Sequence, residues 1–410
     1  MHATRTLSQA ADTTERIRRL MKGHTDRQAE AEILALLDEQ SAPDLNYVLE
    51  HLDLEALFND VDDHLWGPQN KTRLLEMLGR ERLGDLDSPA RAAIIDGLQR
   101  GWTALTEEER RSRVEGGGGS EERAIRDVFV GTHGHQLTEV KNLVNAGADH
   151  YDMHNLLGHD VDDPNLVGQM LDHFAATPRR GEIKPLSDID DTFYANWKDQ
   201  RFPSKTVYPG VLAFYQELDR GPDEAHPQPL GDLTFLTARP EDPWGIVKDR
   251  AHRDLRQRGI PHAAVLAGSV TTLADNEKIA RKKFENFEEY ARIYPEYDFA
   301  WIGDSGQGDA MLAERLLSSH PERVKGAFIH DVVGLDDQAR QQLRERGVRV
   351  FDTYVGAALE AHQAGLISSE GVQRVAQAAQ QDFSRLEFSD DRQRQARLVE
   401  LQADLSRVQQ

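Results

Sequence analysis

Pro185 to Thr192 reads PLSDIDDT. Asp188, Asp190 and Asp191 fall within four residues, and Thr192 follows at once. Asp188 and Asp190 lie two apart, a spacing that at the C-terminal end of a strand can bring both carboxyl groups to one reaction centre. Carboxylates this close repel, and each resists ionisation. A bound Mg²⁺ removes the difficulty, because it takes hard oxygen ligands and its charge offsets theirs. One carboxylate can then attack a phosphorus atom while the other moves the proton. In a chain with 71 acidic residues, the bland alternative is a solvated acidic loop.

The order of features downstream favours the chemical reading. Thr237 closes the apolar run LTFL. Lys283 opens an amphipathic segment, and FAWIGDSGQGD places Asp304 and Asp309 after another apolar run. A DxDxT, a Thr, a Lys and a GDxxxxD in this order resemble the haloacid dehalogenase superfamily of phosphotransferases over about residues 183–366.

From Ile183 onward short apolar runs alternate with helical stretches. IKPLS, LTFL, HAAVLAG, FAWIG, VKGAFIH and VRVF are separated by helical segments at 210–218, 244–257, 283–292, 309–317 and 336–346. That rhythm predicts an α/β fold, a parallel sheet with helices on both faces. It agrees with the HAD-like Rossmannoid fold that the resemblance implies. In such folds ligands gather outside the carboxyl ends of the strands, where Asp188, Thr237 and Asp304 all fall.

Matching each position to the superfamily assigns roles. The resemblance implies Asp188 as nucleophile and Asp190 as general acid and then base. It implies Thr237 as a hydrogen-bond donor to phosphoryl oxygens, with Thr192 supporting the loop. It implies Mg²⁺ held by Asp188, Asp190, Asp304 and Asp309. A lysine is to neutralise the developing charge; Lys283 fits the spacing, with Lys282 and Lys278 as neighbours. Arg239 is either an assistant to Thr237 or a surface residue. Residues between Thr192 and Tyr208 leave room for a short flap, and those between Thr237 and Lys283 for one helix, one strand and a connection. An open, uncapped site is the expectation, with Phe193, Tyr194 and Trp197 either touching substrate or packing the flap.

Within the superfamily, DIDDT, YPGVLAFYQEL, IGDSGQGD and PERVKGAFIHDV followed by GVRVFDTYVGAALEAHQAGLI resemble the catalytic domain of fungal actin-patch-type phosphatidate phosphatases and their bacterial relatives. The resemblance implies removal of phosphate from phosphatidate to give diacylglycerol. TARPEDPWG departs from the family's serine-rich SxSPWN stretch while keeping Pro243-Trp244. The departure bears on lipid specificity, so a soluble or nucleic-acid-end phosphate stands as the alternative substrate.

Residues 13–110 read as helices, from spacings such as Leu45, Val48, Leu49 and Leu52. EGGGGSEE, within 115–122, reads as a flexible loop. Asp-Val-Asp-Asp recurs at 60–63 and 160–163, which predicts two copies of a helical unit. MKGHTDRQAEAEIL faintly resembles an annexin repeat. The resemblance implies a Ca²⁺ loop completed by Asp62 or Asp63, and in the second copy by Gly118, Gly119 and Ser120 with Asp162 or Asp163. The plainer reading makes these aspartates helix caps. His133, His135, His150, His154 and His159 lack a second ligand set at metal spacing and read as structural or surface residues. The division expected is a helical domain at 1–178, a catalytic domain at 179–366 and a polar helical tail at 367–410.

The formal charge of −22, from 49 basic and 71 acidic residues, opposes non-specific nucleic-acid binding and unaided docking on anionic lipid. Ca²⁺ bridging of acidic clusters to lipid phosphates is the expected remedy. With no cysteine, disulfides, thiolate metal sites and cysteine nucleophiles are excluded. No signal-peptide core and no run of membrane-spanning length is present, so a soluble cytoplasmic protein is the expectation. A non-enzymatic annexin-like scaffold with a degenerate phosphatase module is the alternative of another class.

Overall fold

A computed structural model of the chain describes residues 2–23, 25–63, 66–103, 119–147, 151–229, 233–237, 246–260, 263–266, 275–306 and 308–408. The chain divides into two compact units, one of residues 1–147 with 151–177 and one of 148–150 with 178–410.

The first unit is helical. Its longer helices are α1 (His2–Leu20), α2 (Arg27–Asp38), α3 (Ala42–His51), α4 (Leu54–Asp60), α5 (Asn70–Glu76), α6 (Ser88–Thr103), α7 (Ser120–Val130), α8 (Gly134–Asn145) and α9 (Pro164–Ala175). Starts are set by side-chain caps: Asp26 accepts from the N–H groups of Gln28 and Ala29, and Ser41 and Asp53 cap α3 and α4. Such caps satisfy backbone donors that a helix start leaves without partners. Ile33, Leu37, Leu45, Val48, Leu49 and Leu57 are wholly buried in the unit's core.

The two Asp-Val-Asp-Asp segments are built alike. The Asp62 N–H donates to Glu30, and the Asp162 N–H donates to Glu122. Asp63 accepts from Thr72 through both its N–H at 3.0 Å and its hydroxyl at 2.6 Å, and Asp163 caps α9 through the Asn165 N–H. Asp63 and Asp163 are therefore occupied in holding backbone and hydroxyl donors. Among the described residues, this unit holds no group of three carboxylates or histidines close enough to share an ion. Gly118 and His150 lie outside the described residues. No described helix is long and apolar enough to cross a membrane.

The second unit is α/β. Its strands are β1 (Ile183–Ser187), β2 (Thr234–Leu236), β3 (Ala264–Leu266), β4 (Asp298–Asp304), β5 (Val324–His330) and β6 (Arg349–Phe351). All pairs are parallel, in the order β3-β2-β1-β4-β5-β6. β1 and β4 are buried along their whole length, as strands covered on both faces must be. The strand order reverses between β1 and β4, so a crevice opens beyond their carboxyl ends. Asp188 follows β1 and Asp304 ends β4.

Helices α10 (Val211–Arg220), α11 (Ile246–Gln257), α12 (Asn276–Ile293), α13 (Asp309–Ser319), α14 (Asp337–Glu345), α15 (Tyr354–Gln363), α16 (Ser369–Ser384) and α17 (Asp391–Val408) complete the unit. α12 begins seven residues before Lys283, capped by Asp275, so Lys283 does not open the helix but sits two turns inside it. The segment after Ile367, polar in composition, contributes Val372 and Val375 to the same core as Phe214, Phe328 and Tyr354. Arg374 pairs with Glu217 of α10 at 2.6 Å, and Gly210 lets α16 approach, since a Cβ there would lie 2.9 Å from that of Ala379.

Candidate active site

The strand-end loops bring three acidic groups and one cation together. Asp188 is anchored by its N–H, which donates to the Ile302 carbonyl at 2.9 Å. Lys283, reaching in from α12, donates to Asp188 Oδ1 at 2.7 Å and to Asp309 Oδ1 at 2.6 Å. Lys278 pairs with Asp275, and Lys282 approaches Glu285 at 4.0 Å. Of the three neighbouring lysines, Lys283 is the one that meets Asp188, because only its position on the helix turns toward the sheet.

Asp309 opens α13 and folds back against β4. A Cβ on Gly303 would lie 2.6 Å from the Asp309 Cβ, so glycine is required for the two to pack. Asp309 Oδ2 accepts from the Asp304 N–H at 3.3 Å, and Asp304 Oδ1 accepts from the Gly306 N–H at 2.6 Å. Asp304 Oδ2 is buried with no hydrogen-bond partner among the described residues. Oxygens of Asp188, Asp304 and Asp309 lie within 4.8 Å of one another, and this buried trio could hold a metal ion. Asp190 is not part of the trio: its Oδ1 accepts from Asn196 Nδ2 at 2.6 Å.

Burial pushes the Asp188 carboxyl up to about 7, aided by the charges of Asp309 and Asp190 and opposed by Lys283. Burial likewise raises Asp304 well above the carboxylate range, with Asp309 and Asp188 adding to the effect. Lys283 is raised despite its burial, because Asp188 and Asp309 hold its proton. Three acidic groups share one ammonium, and a hard divalent cation would offset the charge they carry when ionised. The orphaned Asp304 oxygen fits such an ion.

Thr237 follows β2, and since Ser187 pairs with Phe235 it stands at the same carboxyl edge as Asp188. It is buried. Thr192 is fully buried, and its carbonyl accepts from the Tyr354 hydroxyl at 2.6 Å. Arg239 and Pro243-Trp244 fall outside the described residues.

Three residues had no assigned role in the sequence. Asp331 braces the Asp304 loop: it accepts from the Ser305 hydroxyl at 3.0 Å and pairs with Arg340. Asp191 and Asn196 shape the flap after Thr192. The Asp191 carboxylate, fully buried, accepts from the N–H groups of Asn196, Trp197, Lys198 and Asp199. The third aspartate of DIDDT was the available signal for Asp191, and HD at the end of β5 the signal for Asp331. Asn196 carried none.

The flap aromatics divide. Phe193 and Tyr194 are wholly buried core residues, whereas Trp197 is half exposed. Lys198 is exposed, with its stem against Gly306, where a Cβ would lie 2.9 Å from Lys198 Cγ.

Residues 183–331 match the family model described as phosphatidate phosphatase APP1, catalytic domain. The similarity covers about a third of the chain and takes in every strand-end loop of the site. The family is one of phosphoric monoester hydrolases, and the matched range contains Asp188, Asp190, Thr237, Lys283, Asp304 and Asp309. No curated protein and no solved structure matches the chain.

Proposed function

We propose that the chain hydrolyses phosphatidate to diacylglycerol and phosphate through an aspartyl-phosphate on Asp188, with Mg²⁺ as cofactor. The observation that carries this reading is Asp188 set between Lys283 and the Asp304–Asp309 pair, with one Asp304 oxygen left for a ligand. In this reading residues 179–366 are catalytic, flanked by a helical domain at 1–178 and polar helices at 367–410.

Asp188, Asp304 and Asp309 would hold the ion, and Asp190 supplies no side-chain oxygen to the trio. When bound, Mg²⁺ supplies charge neutralisation for the phosphoryl oxygens. An Asp188 oxygen attacks phosphorus, and the bond from phosphorus to the glycerol oxygen breaks. Asp190 gives its proton to that oxygen, and diacylglycerol leaves. Asp190, now a carboxylate, takes a proton from water as the water oxygen attacks phosphorus. The bond from Asp188 to phosphorus breaks and phosphate is released. Lys283 offsets the charge that builds in both steps, and the Thr237 hydroxyl donates to a phosphoryl oxygen. Positioning and charge neutralisation account for most of such catalysis.

The family match supports the lipid substrate. So does the form of the site: among the described residues, the segments after Asp188 and Thr237 add a short flap, one helix and one strand.

The test is phosphate release from phosphatidate in mixed micelles, beside sugar phosphates, nucleotides and DNA 3′-phosphate ends, with Mg²⁺ or chelator. Preference for phosphatidate and loss of turnover in Asp188→Asn are expected. Full activity of Asp188→Asn would overturn the mechanism.

A further inference from the structure

The flap between Thr192 and Tyr208 is organised by a residue the mechanism does not use. Asp191 has φ of 60°, in the left-handed region that costs any residue with a Cβ, although aspartate bears it better than most. Its carboxylate accepts from the N–H of Asn196 at 2.7 Å, Trp197 at 3.0 Å, Lys198 at 2.7 Å and Asp199 at 3.2 Å. Four consecutive donors converging on one buried carboxylate turn the chain back on itself directly after the reactive loop. Strain of this kind persists only where the surroundings over-determine it.

The turn has an anchor on its far side. Asp199 accepts from Arg201 Nε and Nη2, both at 2.9 Å, and from the Tyr208 hydroxyl at 2.8 Å. Both ends of the turn are thereby fixed, and the side chain at its start, Asn196, is delivered to one place. Asn196 Nδ2 donates to Asp190 Oδ1 at 2.6 Å. The Asp190 carboxyl so engaged is held against free rotation about its own side chain.

We propose that Asp191 and Asn196 are positioning residues for proton delivery: Asp191 folds the flap, and Asn196 fixes the orientation in which Asp190 meets the leaving oxygen. The inference rests on the assignment of Asp190 as general acid. It concerns orientation, since a proton donor contributes ~10²–10⁴-fold only when within hydrogen-bond reach of the atom it protonates.

A leaving-group comparison separates this role from a structural one. An alkyl oxygen, as in a short-chain phosphatidate, needs its proton as the bond to phosphorus breaks. 4-Nitrophenolate leaves without one. The quantity to measure is kcat/KM for each substrate, which reports the steps up to leaving-group departure. In Asn196→Ala the ratio of alkyl to aryl kcat/KM is expected to fall about tenfold or more. Asp191→Gly, which accepts the left-handed backbone but removes the carboxylate, is expected to lower the same ratio. Asp191→Asn, with one acceptor oxygen left, should fall between it and wild type.

Equal losses on both substrates in Asn196→Ala, or no loss on either, would overturn the inference while wild-type turnover leaves the phosphatase reading standing. Wild-type inactivity on both substrates would overturn the two together.

Discussion

Lys283 meets Asp188 from two turns inside α12, with the Nζ at 2.7 Å from Oδ1 and both side chains buried. The same ammonium holds Asp309 at 2.6 Å, so a single cation ties the loop after β1 to the start of α13. Removing one partner from a buried pair leaves the other charge without compensation, at a cost of about 3–5 kcal/mol. Lys283→Met is therefore expected to lower the urea midpoint of metal-free protein and to abolish turnover. A midpoint equal to wild type would show that the pair contributes nothing to stability.

Asp304 offers a test of the metal that does not depend on turnover. In the metal-free protein its carboxyl is buried beside Asp309 and Asp188, and one oxygen has no partner among the described residues. Asp304→Asn is expected to raise the metal-free melting temperature while removing the response to Mg²⁺. In wild type, Mg²⁺ at a hundred times its Kd should stabilise by about 2.7 kcal/mol. Thermal denaturation with and without Mg²⁺ reads both effects, and an unchanged Mg²⁺ response in Asp304→Asn would place the ion elsewhere.

Gly308 predicts a packing dependence. A Cβ there would collide with the Asn276 carbonyl oxygen, which belongs to the first turn of α12 and cannot swing aside. Gly308→Ala is expected to destabilise by about 1–3 kcal/mol, in the range of overpacking. It should also lower kcat, because α12 carries Lys283. Wild-type stability and kcat in this variant would show that the two elements separate without consequence.

In the helical unit, Lys71 and Glu121 form a buried pair at 2.7 Å. Burial by itself would push the Glu121 carboxyl up, but the Lys71 ammonium outweighs it and carries the group from 4.5 down to about 2. An acid held below its ordinary range contributes stability that is complete above that range and is lost as pH falls through the folded value. The window here runs from about 4.5 down to about 2. Denaturant midpoints of the full chain should fall more steeply across it in wild type than in Glu121→Gln. Parallel slopes would remove Glu121 from the acid response.

Trp197 is half exposed next to Lys198, whose stem lies against the Asp304 loop. If the substrate sits in a lipid surface, an indole at this edge shares the apolar side of the interface. Trp197→Ala is expected to raise KM for phosphatidate in vesicles by several-fold, with a smaller effect on KM for soluble 4-nitrophenyl phosphate. Equal changes in the two would count against a lipid contact.

The polar composition after Ile367 concealed how α16 packs. Val372, Val375, Ala376, Ala379 and Phe383 recur at helical spacing and are all buried, yet glutamines and charges surround them in the sequence. A stripe this narrow, filled partly by alanine, has little hydrophobic signal until a partner surface is known. Phe193 and Tyr194 posed the opposite problem. Aromatic residues beside a reactive loop suit substrate contact and core equally, and only burial distinguishes the two.

The sequence by itself determined the parallel α/β rhythm from Ile183 onward and the order Asp188, Asp190, Thr237, lysine, Asp304, Asp309. Strand ends, small-residue turns and acidic spacing are local properties, and they are written in neighbouring residues. Tertiary structure decided which lysine is used, because the choice among Lys278, Lys282 and Lys283 depends on the rotational phase of a helix whose start lies at Asn276. It also decided the part played by Asp191. That carboxylate binds the N–H groups of four residues, and since every residue except proline carries one, the donors leave no mark in side-chain identity.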